Sequence, residues 1–265
     1  MVEAPIEAHK FPFGQPLLKR GPEITEPRPV FIIGAYPSAL HVNWGPPPRY
    51  KPVAALAVDN EPEPFWDGED QKKRTYEWKK TVRFNKQFGE ITEAGDLNGS
   101  SGRFVTEAVI HPMGFERPDV WITDCLDTYF MSIKQRQRLD DTYNPFADRY
   151  GLQKSCLPTH PNENQIVDTA SDSGNVSRLM SEIKKAAPDT VVTLGNAALR
   201  VFRLLIEGEP LQRLPRTLVA DSAKYGRAFK VHLKIGKSVR WLPLAHPAAP
   251  ASFKTVHNHW VERTD

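Results

Sequence analysis

Cysteine is almost absent: Cys125 and Cys156 are the two in 265 residues. Two thiols cannot build a disulfide framework or a four-thiolate zinc or iron–sulfur centre. No apolar run approaches the roughly 20 residues of a membrane helix. The opening "MVEAPIEAHKFPF" lacks a basic stretch leading into an apolar core, so no signal peptide is expected. An excess of charge of one sign is also lacking, with 35 Lys and Arg against 32 Asp and Glu. A net +3 permits a nucleic-acid partner without arguing for one. No glycine-rich loop of dinucleotide or P-loop type, internal repeat or low-complexity tract occurs. The expectation is a protein of a reducing, cytoplasmic compartment.

Proline is plentiful, with 24 residues that imply long ordered loops. Residues 1–28, rich in Pro, Gly and charge, read as an irregular arm ahead of one domain over 29–265. Four apolar runs read as buried strands: "PVFIIGA" (29–35), "DVWITDC" (119–125), "DTVVTLG" (189–195) and "VRWLPLAH" (239–246). Short continuous apolar runs between turn residues suit parallel strands covered on both faces. Helical segments lie between them: "SSGRFVTEAVIH", "NVSRLMSEIKKAA" with Asp172 or Ser173 as its cap, and "NAALRVFRLLI". The expected fold is α/β, a three-layer α/β/α arrangement with a central four-stranded parallel sheet. Ligands of such sheets bind at the carboxyl ends of the strands. The loops to search are therefore "GAYPSALHVNW", "DCLDTYF", "GNAAL" and "HPAAPASF".

In the first loop Gly34 permits a tight turn and Pro37 stiffens it, which a plain strand–helix turn would also use. Asp124 ends the second strand, where it either caps the next turn or faces a ligand. His246, followed by Pro247, is a polar group on a stiff loop, or a satisfied structural histidine. His257 and His259 stand two apart with no cysteine or carboxylate partner evident, so no metal site is expected. Residues 72–86, "KKRTYEWKKTVRFNK", interleave Tyr76, Trp78 and Phe84 with basic side chains. Such a run is either a solvated face or a phosphate-lining groove with Lys79, Lys80 and Arg83 as contacts. "KQRQR" at 134–138 is a weaker basic patch.

Taken in order, these loops resemble the uracil-DNA glycosylase superfamily over about residues 29 to 255. "GAYPS" sits where that superfamily carries its Gly-x-x-Pro water-activating loop. "ITDC" looks like its "ITN" or "LLN" strand end, and "AHPAAPASF" like its His-Pro-Ser loop. "PEPFWDG" (62–68) resembles the segment whose aromatic stacks on the flipped base, and "LNGSSGR" (97–103) its phosphate-contacting turn. The resemblance implies a monomeric, nucleoid-associated repair enzyme that needs no cofactor. It would flip and hydrolytically excise a damaged base, uracil first, from single-stranded or uracil- or abasic-containing double-stranded DNA. His246 would be the donor to the leaving base. Phe65 or Trp66 would be the stacking wall, beside Gly34, Ala35, Tyr36 and Pro37. Ser100, Ser101, Arg103, Ala248 and Ala251 would meet DNA.

This chain departs from the pattern at three places. Asp124 stands where the superfamily usually has Asn. An ionised carboxylate only accepts hydrogen bonds, whereas an amide also donates. Either Asp124 is protonated by burial and reads the base, or it orients water. Ala35 and Tyr36 stand where a water-activating carboxylate or amide is found, and a phenol with its usual pKa near 10 is a poor base. Asp59 and Glu61 are the other candidate carboxylates. The usual wedge leucine is replaced by Ala251, with Phe253 two residues on. The alternatives are a glycosylase for hypoxanthine or another deaminated base, and a uracil- or abasic-DNA-binding protein without turnover.

Overall fold

The computed structural model describes residues 9–22, 24–208 and 211–264; residues 1–8 and 23 of the expected arm lie outside the described residues. In chain order the elements are β1 (Val30–Gly34), β2 (Ala39–Gly45), β3 (Val53–Asn60), α1 (Gln71–Thr81), β4 (Glu90–Glu93), α2 (Ser100–Val105), β5 (Val120–Asp124) and α3 (Ile133–Arg138). They continue as α4 (Asn144–Tyr150), α5 (Glu163–Ala170), α6 (Ser173–Ala186), β6 (Thr190–Leu194), α7 (Gly195–Arg203), β7 (Phe229–Leu233), β8 (Lys237–Leu244) and α8 (Ala251–Thr264). The chain divides into two compact units: Met1–Arg20, Pro37–Gly102 and Thr128–His160 form one, and Gly21–Tyr36, Arg103–Asp127 and Pro161–Asp265 the other.

The second unit holds a mixed α/β sheet in the order β5-β1-β6-β8-β7. β1, β5, β6 and β8 are the four expected strands, and they pair in parallel. Every residue of β1, β5 and β6 is buried, which is why these strands read as continuous apolar runs. The sheet has five strands rather than four. β7 pairs antiparallel with β8 at the edge, and Lys230 and His232 are exposed between buried Val231 and Leu233. That half-solvated alternation escapes a search for continuous apolar runs. Helices flank the sheet. Asp172 caps α6, its side chain accepting from the Gly174 N–H at 2.7 Å, and Leu179 and Ile183 of that helix are buried.

The first unit holds a three-stranded antiparallel sheet, β3-β2-β4. Most of the segment read as a long loop after β1 is in fact β2: only Tyr36 to Ser38 separate Ala35 from that strand. Its polar His41 hid the strand, because His41 is buried rather than solvated: Asn98 accepts from its backbone N–H at 2.9 Å and donates to its carbonyl at 2.8 Å, while the imidazole Nδ1 has no partner. The arm residues 9–20 form one 3-10 turn, Pro12–Gly14, but bury Phe11 and Leu17 completely or nearly so. Phe13 packs on Trp44, Trp78, Phe84, Phe88 and Tyr143, with ring centroids 5.2 to 6.3 Å apart. Among the described residues no helix is long and apolar enough to cross a membrane.

Candidate active site

The carboxyl ends of the parallel strands bring Gly34, Asp124, Gly195 and His246 to one edge of the five-stranded sheet. Gly34 is in register with Asp124. The ladder runs on past both strands: Cys125 N–H donates to the Gly34 carbonyl at 3.1 Å and Leu126 N–H to that of Ala35 at 3.0 Å. Asp124 is 3% exposed, and neither carboxylate oxygen has a hydrogen-bond partner. Arg178 of α6 reaches this strand end, but its two terminal nitrogens are bonded elsewhere. It donates to the Asp124 and Cys125 carbonyls at 2.8 and 2.9 Å, to Thr123 Oγ1 at 3.3 Å and to Glu182 Oε1 at 2.9 Å. Burial pushes the Asp124 carboxyl up to about 7; the Arg178 charge opposes this and Glu182 reinforces it. A buried acid with two unused oxygens is rare in a folded protein unless something else is meant to meet it.

Tyr36 flanks this acid and lies in the same unit. Burial, and then the Asp124 charge, push its phenol up to about 12, so it stays protonated and cannot take a proton from water at neutral pH. Cys125 is fully buried with its thiol pushed up by burial, which leaves it inert.

His246 follows β8, half-buried, on the far side of β1 and β6 from Asp124. Three strand spacings of about 4.8 Å separate the two strand ends by roughly 14 Å. The turn from β6 into α7 passes close by: at Gly195 (φ +85°) a Cβ would lie 3.2 Å from that of His246. The imidazole Nδ1 accepts from the Ala248 N–H at 3.1 Å, which leaves the proton on Nε2. Burial pushes the ring down to about 4, so at neutral pH it is an uncharged N–H donor.

A relay that the sequence does not announce holds the preceding residue. Ala245 N–H donates to the Tyr225 hydroxyl at 2.8 Å, which donates to His257 Nδ1 at 2.8 Å, and His257 Nε2 then donates to the Ala108 carbonyl at 2.8 Å. His257 is therefore a buried structural group, while His259, next to it in the expected metal question, is exposed and pairs with Glu262 at 3.2 Å. No cluster of three His, Cys, Asp or Glu suited to a metal occurs among the described residues. Phe253 of α8 rests against the Tyr225 ring at 6.3 Å. Tyr225→Phe leaves the Ala245 N–H and His257 Nδ1 without partners. Urea unfolding is expected to show a loss of about 1–3 kcal/mol for each group stranded in this way.

The other expected site residues lie in the three-stranded unit, apart from Arg103, Ala248 and Ala251. Arg103 is half-buried in α2; Ala248 is exposed in the turn before α8, and Ala251 is exposed at its first position. Phe65 and Trp66 are 7% and 6% exposed. Phe65 adopts φ +54°, a left-handed conformation that costs a bulky residue roughly 1–3 kcal/mol. Trp66 joins the aromatic core and its Nε1 donates to Asp70 Oδ1 at 2.9 Å. The two expected motifs of this unit meet: at Gly102 a Cβ would fall 2.2 Å from the Phe65 carbonyl, so the "NGSSGR" turn lies flat on the "PFW" backbone. Ser100 is exposed and Ser101 half-buried at the first turn of α2.

Asp59 and Glu61 hold backbone. Asp59 Oδ1 accepts from the Asn60 N–H at 2.8 Å, and Glu61 accepts from the Ser38 N–H, next to Pro37, at 2.7 Å. Burial raises the Asp59 carboxyl. Of the basic run, Lys79 donates to the Ile91 carbonyl at 2.8 Å, Lys80 lies 4.4 Å over the Tyr76 ring, and Arg83 takes φ +50° just past α1. Of the aromatics interleaved within it, Trp78 and Phe84 are turned into the core, and Tyr76 alone of the three is exposed.

Neither a protein-family model nor a curated protein sequence matches the chain. The fold and the site together define an α/β chain that presents a buried orphan acid and a neutral imidazole donor at one edge of its parallel sheet.

Proposed function

We propose that the chain is a DNA repair glycosylase that flips a damaged base, uracil first, and excises it by hydrolysis, leaving an abasic site. The observation that carries this reading is the pairing of Asp124, buried and unpartnered, with His246, neutral and tautomerically fixed, at the edge where the resemblance requires a base reader and an anion donor. Departure of the base leaves positive charge on the sugar and negative charge on the base. The His246 Nε2–H donates to the carbonyl oxygen where that negative charge collects. Water adds its oxygen to C1′ as the N-glycosidic bond breaks, the bonding pair leaves with the base, and a proton is released. Asp124 in its acid form offers one O–H donor and one carbonyl acceptor, the pair an amide would offer. It therefore matches the C=O and N–H edge of uracil. Hypoxanthine presents the same edge, which is why it is the second substrate to test. The resemblance gives stacking on the flipped base to Phe65, with Trp66 the alternative, and such stacking is worth about 1–3 kcal/mol per base.

The proposal includes a three-layer α/β/α arrangement about the sheet, and a cytoplasmic, nucleoid-associated monomer acting without cofactor. The test is alkaline cleavage of a labelled single-stranded oligonucleotide carrying one uracil after incubation with the purified protein. Cleavage at the uracil supports the reading. An intact strand with uracil, and again with hypoxanthine, rejects excision of either base; tight uracil- or abasic-specific retention of an intact strand would then assign a binding protein.

A further inference from the structure

A cavity of about 490 Å³ opens where β7 stops short of the end of β8. β7 pairs with β8 only as far as Trp241, and Pro243, which has no N–H to offer a neighbour, lies past that pairing. The cavity is distinct from the strand-end site and lies wholly within the five-stranded unit. Arg213, Arg216, Lys224 and Arg227 line it. Lys224 meets Asp221 at 3.6 Å, but Arg213, Arg216 and Arg227 have no ion-pair or hydrogen-bond partner for their guanidinium groups among the described residues. Arg216 also bears on Arg203, whose pKa is lowered by burial first and then by this like charge.

The walls are built rather than frayed. Arg203 donates to the carbonyls of Leu214 and Pro215 at 3.0 and 2.8 Å and of Leu211 at 3.1 Å, and Asn196 accepts from the Leu218 N–H at 2.8 Å. The opposite wall is fixed through Tyr225, whose hydroxyl is held between Ala245 and His257. The lining also includes apolar and aromatic surface: Val219, 51% exposed, with Leu218 and Phe229. Unpaired guanidiniums beside an uncovered apolar and aromatic floor match a ligand that is anionic at one end and flat and apolar at the other. The volume falls in the range of small-molecule sites, about 300–1,000 Å³.

We infer that this cavity is a second binding site, for a nucleotide unit whose phosphate lies among Arg213, Arg216 and Arg227 and whose base rests on Phe229 and Val219. Guanidinium forks suit phosphate oxygens in two-point contacts. The inference stands whether or not a base is excised. It leans on the proposed DNA substrate only in expecting the nucleotide to belong to a strand rather than to be free.

The test is fluorescence titration of wild type and of the double variant Arg216→Gln/Arg227→Gln with two probes, a uracil-free dT oligonucleotide and free dTMP. A second double variant, Lys184→Gln/Lys185→Gln on exposed positions of α6, removes the same charge elsewhere in the unit. Thermal melts check that all proteins fold. For the strand, the cavity variant is expected to bind at least tenfold more weakly, with the slope of log K on log salt reduced by about 1.4, or 0.7 for each lost phosphate contact. The α6 variant should match wild type. Weakening confined to dTMP assigns a free nucleotide as the occupant. Equal affinity of the cavity variant and wild type for both probes overturns the inference, as does equal weakening in the α6 variant. Because neither probe carries uracil, failure of excision and failure of this site are read separately.

Discussion

Asp124→Asn is expected to melt at a higher temperature than the parent protein, and only above the acid range. The carboxyl is pushed from its ordinary 3.8 up to about 7 by burial, so the folded state holds a proton that the unfolded state releases. Below pH 3.8 both states are protonated and the group costs nothing extra. Between that value and about 7 the folded state binds the extra proton, so stability falls as pH rises. Above 7 both states are ionised and the loss is complete. Some three decades of proton affinity correspond to about 4 kcal/mol. The gap in melting temperature between Asp124→Asn and wild type should therefore open between pH 4 and 7 and stay constant beyond. A gap that does not change with pH would mean that Asp124 is not the buried orphan acid described above.

The same titration separates the two roles open to this carboxyl. If the acid form reads the base, kcat/KM falls about tenfold per pH unit above 7, and Asp124→Asn removes the fall because its amide keeps both a donor and an acceptor. If the ionised form orients water, the rate rises through pH 7 and Asp124→Asn abolishes turnover. The proposal takes the first course, since two unpartnered oxygens suit an edge-on partner and the nearby Arg178 is turned to backbone carbonyls instead of the carboxylate.

The strands that were legible in the sequence are those with a continuous buried run, all of β1, β5 and β6 and the Trp241–Leu244 half of β8. β1, β5 and β6 are buried throughout and largely apolar, and they stand out from their surroundings. β7 and β2 do not, because one alternates toward solvent and the other buries a histidine against an asparagine 57 residues away. The ends of legible strands are equally legible, so Asp124 and His246 could be singled out. What gives each its character could not be, because it comes from far along the chain. Arg178 reaches the Asp124 carbonyl across 54 residues, and the Tyr225 hydroxyl meets Ala245 across 20 and His257 across 32. The basic run at 72–86 also takes its form from packing that its charge does not announce. A helix with many lysines still needs a buried side, and Trp78 provides it.

His246→Ala is expected to lower kcat by two to three decades while leaving KM within a few-fold, the loss of a single fixed donor aimed at developing charge. The split follows from timing. The ground-state carbonyl carries little charge, so the Nε2–H contributes little to binding and much when the glycosidic bond is breaking. Because the ring is pushed down to about 4 and its Nδ1 is occupied by the Ala248 N–H, no histidine inflection should appear in the wild-type rate between pH 5 and 9. His246→Asn, which keeps an N–H donor, should recover part of the loss; equal rates for His246→Ala and wild type would remove His246 from the chemistry. Tyr225→Phe supplies the complementary test, because the Tyr225 hydroxyl holds the backbone N–H of Ala245, the residue before His246. If the relay positions the imidazole, that variant lowers kcat without shifting the pH profile, whereas a relay that only stabilises the fold lowers the urea midpoint and leaves kcat unchanged.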